Sequence, residues 1–384
     1  MGTLQNIDRK VLLADQSEAD DLTSLVFQKF RKVSGAPTKT VNYTQSAIVD
    51  PDGQAPDQVI DNNELAASVE TEFSDQCIPL VKKAIHGNET LTNVTGTDIS
   101  FTASGVNSGA SNAFADLVAG DFFYVSGSSD NNGWHYIAAK TDSNNVATAV
   151  APTVESAGSS ITVYSRKTTS GKTRYYEVMQ ERIKDTSQPD ELAYKSFYNG
   201  TINTMNITIG ETGIIGTTLD YLFEKLNPGL AELTGQTDKA DDTGDSYSAV
   251  NNIKGYFVNG ESYTCEIKSM DIEINNNYEQ DDASGCSEKV LGKTNINAQM
   301  AITARTSDAN PFKWQTLSEN STDTAFAVYM QNTAGDKDTL IALARCKVTE
   351  SQFTDGDVFA TSEFTAIGQS SKQQDTTITM YNNF

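Results

Sequence analysis

The chain has 384 residues, of which 38% are hydrophobic, and it sets 28 Lys and Arg against 51 Asp and Glu for a net charge of −23. That length suffices for two or more domains with real cores, and no apolar run approaches the roughly 20 residues of a membrane-spanning helix. The overall sign argues against gripping nucleic acid, which takes cations to displace the counterions on phosphate.

The opening MGTLQNIDRKVLLADQSEADD lacks the basic-then-apolar pattern of a signal peptide, an expectation against export by that route. The pattern allows a helix over Glu18 to Lys29. Residues 38–48 (TKTVNYTQSAI) and 64–73 (ELAASVETEF) read as two long strands, alternating apolar and polar. Asp75 to Gly87 (DQCIPLVKKAIHG) reads as a helix: Ile78, Val81 and Ile85 share a face, Pro79 suits a first turn and Gly87 a stop.

A block over 88–168, rich in Gly, Ser, Asn and Thr, follows, with strands expected at 98–103, 121–126, 134–140, 146–150 and 160–165. Phe122, Val125, Trp134 and Ile137 are candidates for a small core of its own, a sandwich or barrel. Residues 201–210 and 213–223 read as a hairpin, and 227–249 as a linker. Residues 261–275 and 294–306 read as a second pair of long strands, 310–318 as a helix, and 339–350 with 357–367 as a closing hairpin. The order strand, strand, helix, strand, strand thus occurs twice, as in a tandem duplication. Asn203 to Gly210 (NTMNITIG) and Lys268 to Asn275 (KSMDIEIN) share a two-faced pattern, although one closes the first unit and the other opens the second.

Recognisable reaction chemistry is sparse. Cys77, Cys265, Cys286 and Cys346 form no C-x-x-C pair and read as buried free thiols. His86 and His135 have no G-x-S-x-G elbow to serve. Ser170 to Thr173 (SGKT) resembles the end of a P-loop, but Arg166 stands where that motif needs glycine. The acidic clusters Asp50, Asp52, Asp57 and Asp238, Asp241, Asp242, Asp245 lack calcium-loop spacing and read as solvated loops. The small basic clusters Lys29, Arg31, Lys32 and Arg166, Lys167, Lys172, Arg174 read as solvated surface. Nothing here argues for an enzyme, a metal or a cofactor.

Alternation gives each long strand two faces. Leu65, Ala67, Val69, Thr71 and Phe73 oppose Glu64, Ala66, Ser68, Glu70 and Glu72. Met205, Ile207 and Ile209 oppose Thr204, Asn206 and Thr208; Met270, Ile272 and Ile274 oppose Ser269, Asp271 and Glu273. Ile296, Ala298, Met300, Ile302 and Ala304 oppose Asn295, Asn297, Gln299, Ala301 and Thr303. One face belongs to a core; the other is small, polar and often acidic. Long wet strands expose edges that invite pairing, a hazard removed when they close on copies of themselves.

These patterns resemble the tail tube proteins of long-tailed, siphovirus-type bacteriophages, in a larger form with an inserted β-domain. The residues that carry the resemblance are SAIVDPDGQAPDQVIDNNELAASVETEFS, LVAGDFFYVSGSSDNNGWHYIAA, SFYNGTINTMNITIGETGIIGTTLDYLF, VNGESYTCEIKSMDIEINNNYE and ATSEFTAIGQSSKQQDTTITMYN. The resemblance implies a mainly β fold of tandem β-sandwich or half-barrel tube domains with short flanking helices. Residues 1–87 and 169–226 would form the first tube domain, 88–168 the inserted β-domain on the exterior, 227–249 a linker and 250–384 the second tube domain.

It implies rings stacked into a tube that conducts the viral genome, in a virion tail assembled in the host cytoplasm, without cofactor or membrane. Glu64, Ser68, Glu70, Glu72, Thr204, Asn206, Thr208, Ser269, Asp271, Glu273, Asn295, Asn297 and Gln299 would face the channel. DNA would pass without specific binding, because carboxylates repel phosphate; Lys39, Lys268, Arg345 and Lys347 lie in the same strands. Simple members close as sixfold rings, so two units per chain imply a pseudo-sixfold trimer, the alternative being a hexamer. Tape-measure, tail-terminator and distal tail proteins would be the other partners. Two alternatives stay open: an adhesion or carbohydrate-binding β-protein using Phe122, Tyr124, Trp134 and Tyr136, and a β-rich hydrolase.

Overall fold

The computed structural model describes residues 7–29, 31–45, 58–171, 173–185, 191–229, 232–240, 244–263, 266–282, 289–306, 312–319, 323–349, 352–354, 360–370 and 376–383. In chain order the elements begin with β1 (Ile7–Gln16), β2 (Val26–Lys29), β3 (Lys32–Gln45), β4 (Gln58–Glu72) and α1 (Cys77–Ala84). The Gly- and Ser-rich block holds β5 (Asn88–Gly96), β6 (Ile99–Thr102), β7 (Gly105–Ser108), β8 (Phe122–Ser126), β9 (Gly133–Lys140), β10 (Asn145–Thr148) and β11 (Ile161–Thr169). Next come β12 (Tyr176–Asp185), β13 (Glu191–Ile209), β14 (Gly216–Leu222), β15 (Lys225–Asn227) and β16 (Thr237–Asp238). The remainder is β17 (Ile253–Val258), β18 (Glu261–Ser262), β19 (Ile267–Asn275), β20 (Tyr278–Asp282), β21 (Lys289–Lys293), β22 (Asn297–Arg305), α2 (Lys313–Glu319), β23 (Thr324–Gln331), β24 (Asp338–Val348), β25 (Gln352–Thr354), β26 (Thr361–Gly368) and β27 (Thr379–Asn382). The chain is mainly β, as its alternation predicts.

One long sheet organises the molecule. It runs β3–β4–β14–β13–β19–β22–β26, antiparallel throughout, and ends on the last residues of β24 together with β25, which both pair with β26. Two strands belong to this sheet and to a second layer. The first half of β13 pairs with β12 and β15, its second half with β14 and β19. The first half of β24 pairs with β23 and β27, its end with β26. At the crossing in β13, Asn199 has φ 52. A Cβ on Gly200 would lie 2.4 Å from the Phe223 ring, so the turn between layers needs a glycine there.

The elements β1, β3, β4, α1, β12, β13 and β14 recur as β17, β19, β22, α2, β23, β24 and β26, with the same neighbours in the same order. Their irregularities recur too. The register steps from Lys32↔Thr71 to Ser34↔Glu70, and from Ile267↔Ala304 to Ser269↔Thr303. It steps from Glu177↔Gly200 to Met179↔Phe197, and from Thr324↔Cys346 to Phe326↔Leu343. Bulges that coincide in this way fix which residue of one unit corresponds to which of the other. The similar stretches 203–210 and 268–275 form the seam between units, pairing Met205↔Ile274, Ile207↔Ile272 and Ile209↔Met270.

The main core lies behind the long sheet, with Val69, Ile207, Leu219, Ile272, Met300 and Phe364 among its buried side chains. Helix α1 presses Ile78 and Val81 into it, and Ile85 follows directly after. Lys82 and Lys83 suit the negative end of its dipole. The chain turns out of α1 at His86 (φ 51), one residue before the expected stop at Gly87. In α2, Trp314 stacks on Phe364 with centroids 5.1 Å apart. Cys77 and Cys346 are buried thiols outside any disulfide, as expected; Cys265 lies outside the described residues, as do Cys286, Asp50, Asp52, Asp57, Asp241 and Asp242.

Two expectations are corrected. Residues 18–29 are not a helix: Asp20 (φ 64) and Ser24 (φ 55) are left-handed, and β2 pairs with β1 and β16. Leu25 and Phe27 alternate into a satellite core with Leu12, Ala14 and Val178, so the period is two. In the block, Val125 and Ile137 do enter its own core, beside Phe101, Phe114 and Phe123. Phe122 and Trp134 point the other way, because Phe122 and Val125 have opposite parity on one strand. Phe122 packs with Ala327, Leu340, Ala342 and Tyr381 of the second unit, and Trp134 lies against them. The block is bonded to that unit as well, through β11 and β27. Lys167 is ion-paired to buried Asp121 at 2.8 Å, and Tyr381 donates to the same carboxylate.

Phe122→Ala removes a fully buried ring between the block and the second unit, so it should cost about 3–5 kcal/mol in a denaturant titration. His86 gives a pH dependence. It is 0% exposed, its Nδ1–H donates to the Thr173 carbonyl at 2.7 Å, and its Nε2 is buried without a hydrogen-bond partner. Burial, then the charge of Lys293, pushes its pKa down to about 4. The neutral ring is therefore favoured on folding. Its contribution is complete above pH ~6.5 and lost as the pH falls towards 4, by up to about 3 kcal/mol. His86→Asn, which tolerates the left-handed backbone, should flatten that part of the stability profile.

Candidate functional site

The side of the long sheet away from the core is a broad polar surface built by strand alternation. Glu64, Ser68 and Glu70 are exposed on β4 and Glu72 half-buried. Thr204 and Asn206 are half-buried and Thr208 exposed on β13; Asp271 is exposed between half-buried Ser269 and Glu273 on β19. Asn297 is exposed and Gln299 half-buried on β22. Asn295 is exposed just before β22, its carbonyl accepting from Asn277 Nδ2 at 2.8 Å. The opposing residues Leu65, Val69, Met205, Ile207, Met270, Ile272, Met300 and Ile302 are all buried.

Pairing brings these residues into rows. One row crosses the sheet as Ser34, Glu70, Thr218, Asn206, Glu273, Gln299, Ile367 and Lys347. A second runs Glu72, Gly216, Thr208, Asp271, Ala301 and Thr365. A third runs Ala36, Ser68, Asp220, Thr204, Asn275 and Asn297. Within these rows each carboxylate stands between neutral neighbours, which avoids the cost of like charges directly opposed. Several are tied to neutral donors. Ser34 Oγ donates to Glu70 at 2.5 Å, Gln299 Nε2 to Glu273 at 2.6 Å, and Ser246 Oγ to Glu72.

Thr218 and Asp220 on β14, and Glu363 and Thr365 on β26, also belong to this face. Their strands alternate as plainly as the others, with Leu219 and Phe364 buried, so the signal was present in sequence. Of the basic residues in these strands, Lys39 pairs with Leu65 and so lies on the opposite side of the sheet. Lys268 is ion-paired to Glu211 at 2.5 Å, and Arg345 and Lys347 both hold Asp323, at 2.8 and 2.9 Å. The face is thus acidic across its breadth, with its cations at the margins.

The aromatic residues of the block are engaged elsewhere. Phe122 and Trp134 lie 5.7 and 6.3 Å from the Tyr381 ring, and Trp134 lies 6.3 Å from Tyr329. A sugar-stacking platform needs open ring faces, and Phe122 has none. Among the described residues, no group of three or more His, Cys, Asp or Glu is placed to hold a metal ion. No described helix is long and apolar enough to cross a membrane. No protein-family model matches the chain, and no curated protein sequence does.

Proposed function

We propose that the protein is the structural subunit of a bacteriophage tail tube. Copies join through the open edges of the long sheet, β3 on one side and β24 with β25 on the other, into closed rings that stack around a channel. The acidic polar face lines the channel and DNA passes along it without binding. Tape-measure, terminator and distal tail proteins meet the tube at its core and ends.

The observation that carries this reading is the offset between units. Ser34 corresponds to Ser269, since both follow the same bulge, yet its row reaches β19 at Glu273, four residues further on. Four strands separate the two, so the shift is one residue per strand. At ~3.3 Å per residue and ~4.8 Å between strands, continuing it tilts the strands by about 35°, within the range of closed barrels. Six such units, two per chain, give roughly 24 strands and about 45 Å across between backbones, room for a duplex and its hydration. The ring is then a trimer.

Electron micrographs of the purified protein should show rings or hollow tubes, with a ring mass of three chains and pseudo-sixfold end-on power. True sixfold power with six chains would replace the trimer, and a compact monomer at high concentration would refute assembly. Glu70→Lys combined with Glu72→Lys leaves Val69 and Phe73 untouched, so the fold should persist. Such tubes should retain DNA, with an affinity falling on the order of 0.9 log unit per log unit of salt for each phosphate that the new lysines neutralise.

A further inference from the structure

Two hairpin tips carry one tetrapeptide pattern. Asn42-Tyr43-Thr44-Gln45 ends β3, and Asn277-Tyr278-Glu279-Gln280 leads into β20. Their registers match. Tyr43 pairs with Ile60 and Gln45 with Gln58, as Tyr278 pairs with Lys293 and Gln280 with Leu291. Tyr43 and Tyr278 each stand eleven residues past the bulge partners Lys32 and Ile267; Ile60 and Lys293 stand eleven before Thr71 and Ala304.

The environments differ. After β19 the chain bends at Asn277 (φ 50), and the β20–β21 hairpin lies over the end of the first unit. Gln280 Nε2 donates to the carbonyls of Leu65 (2.9 Å) and Phe223 (3.1 Å), and the Tyr278 N–H donates to Asn203 Oδ1 at 2.8 Å. Tyr278 is 6% exposed, its ring 5.5 Å from that of His86. By contrast β3 and β4 go on pairing with each other past Ala66, where β14 stops, and Tyr43 is 59% exposed.

A matching seat exists on the second unit. Leu65 lies five residues before Glu70 and Phe223 five after Thr218; the same steps from the paired Thr303 and Glu363 lead to Ala298 and Gly368. Ala298 O lies 2.9 Å from where a Cβ on Gly368 would be, so these two stand together as Leu65 and Phe223 do. Within the chain, moreover, a tip rests on the unit to which its own first strand is paired. β19 pairs with β13, and β20–β21 rests on the first unit.

We infer that the Tyr43 hairpin of one copy docks on the second unit of the neighbouring copy, at the Ala298–Gly368 end, repeating between chains the contact Tyr278 makes within one. The same correspondence sets the register of the joint. Asn206 faces Glu273 across the internal seam. Their counterparts are Gln352, which faces Glu363 as Asn206 faces Thr218, and Thr38, four residues past Ser34. Thr38 of one copy therefore stands opposite Gln352 of the next. Pro37 has no N–H to give, so the paired strands are one donor short beside Thr38. The inference rests on the proposed joining of copies into rings, and it adds the register and the seat.

Full-length Thr38→Cys/Gln352→Cys protein, oxidised under assembly conditions, should form disulfide-linked multimers on a non-reducing gel, which neither single variant gives; directly opposed strand residues fall within disulfide reach. Tyr43→Ala should raise the concentration needed for assembly at least tenfold and leave the melting temperature of the dispersed chain unchanged. Tyr278→Ala should lower that melting temperature. Rings that form without the Thr38–Gln352 bond, and equally well with Tyr43→Ala, overturn this inference and leave the ring reading standing. Wild-type protein that never assembles overturns both.

Discussion

The architecture depends on one antiparallel seam, β13 against β19. It satisfies the backbone donors and acceptors of two strands that would otherwise be edges, and it places Met205, Ile207 and Ile209 beside Ile274, Ile272 and Met270 on the core side. A slip of one residue would turn β19 over, burying Asp271 and Glu273 and exposing Met270, Ile272 and Ile274. Burying each unpaired carboxylate would cost several kcal/mol. The alternation that keeps one face wet is therefore also what locks the two units in register.

From that seam outward the chain repeats itself, and the repeat lies in backbone geometry more than in residue identity. The bulges after Lys32 and Ile267, and those just before Gly200 and Cys346, fall at matching points although the side chains differ. A bulge bends and twists its strand, so its position decides whether β13 and β24 can leave one layer and enter another. The wet face varies between units, Glu70 corresponding to Thr303, while the core face is largely apolar, the buried pair Thr71 and Thr217 being an exception.

The block between β5 and β11 has both a core of its own and a fixed seat. Its inner strands bury Phe101, Phe123 and Val125 among themselves, while Phe122 and β11 join it to β27 and Tyr381. Buried Asp121, held by Lys167 and Tyr381, makes that junction costly to open, since removing either partner would leave a carboxylate short of hydrogen bonds inside the protein. The proposed ring accordingly carries a fixed projection on each chain.

Local pattern was enough to assign the face of each long strand, because a period of two leaves no choice once Leu65, Val69, Ile272 and Met300 must be covered. It was enough for α1, through Ile78, Val81 and Ile85 with Pro79 in the first turn, and for the repeating order of elements. The sequence also held the N-Y-x-Q likeness of the two hairpin tips, which has meaning only once the pairings show them to be equivalent. What alternation leaves open is which element covers a given face, and that was settled by packing between distant parts of the chain. Phe122 and Trp134 could pack inward or against the second unit, and only β27 and Leu340 choose between the two. Leu25 and Phe27 fit a helical stripe as well as a strand until β1 lies beside them. Which strand neighbours which, and so which carboxylates share a row, depends on pairings between residues far apart in sequence, and no local pattern encodes them.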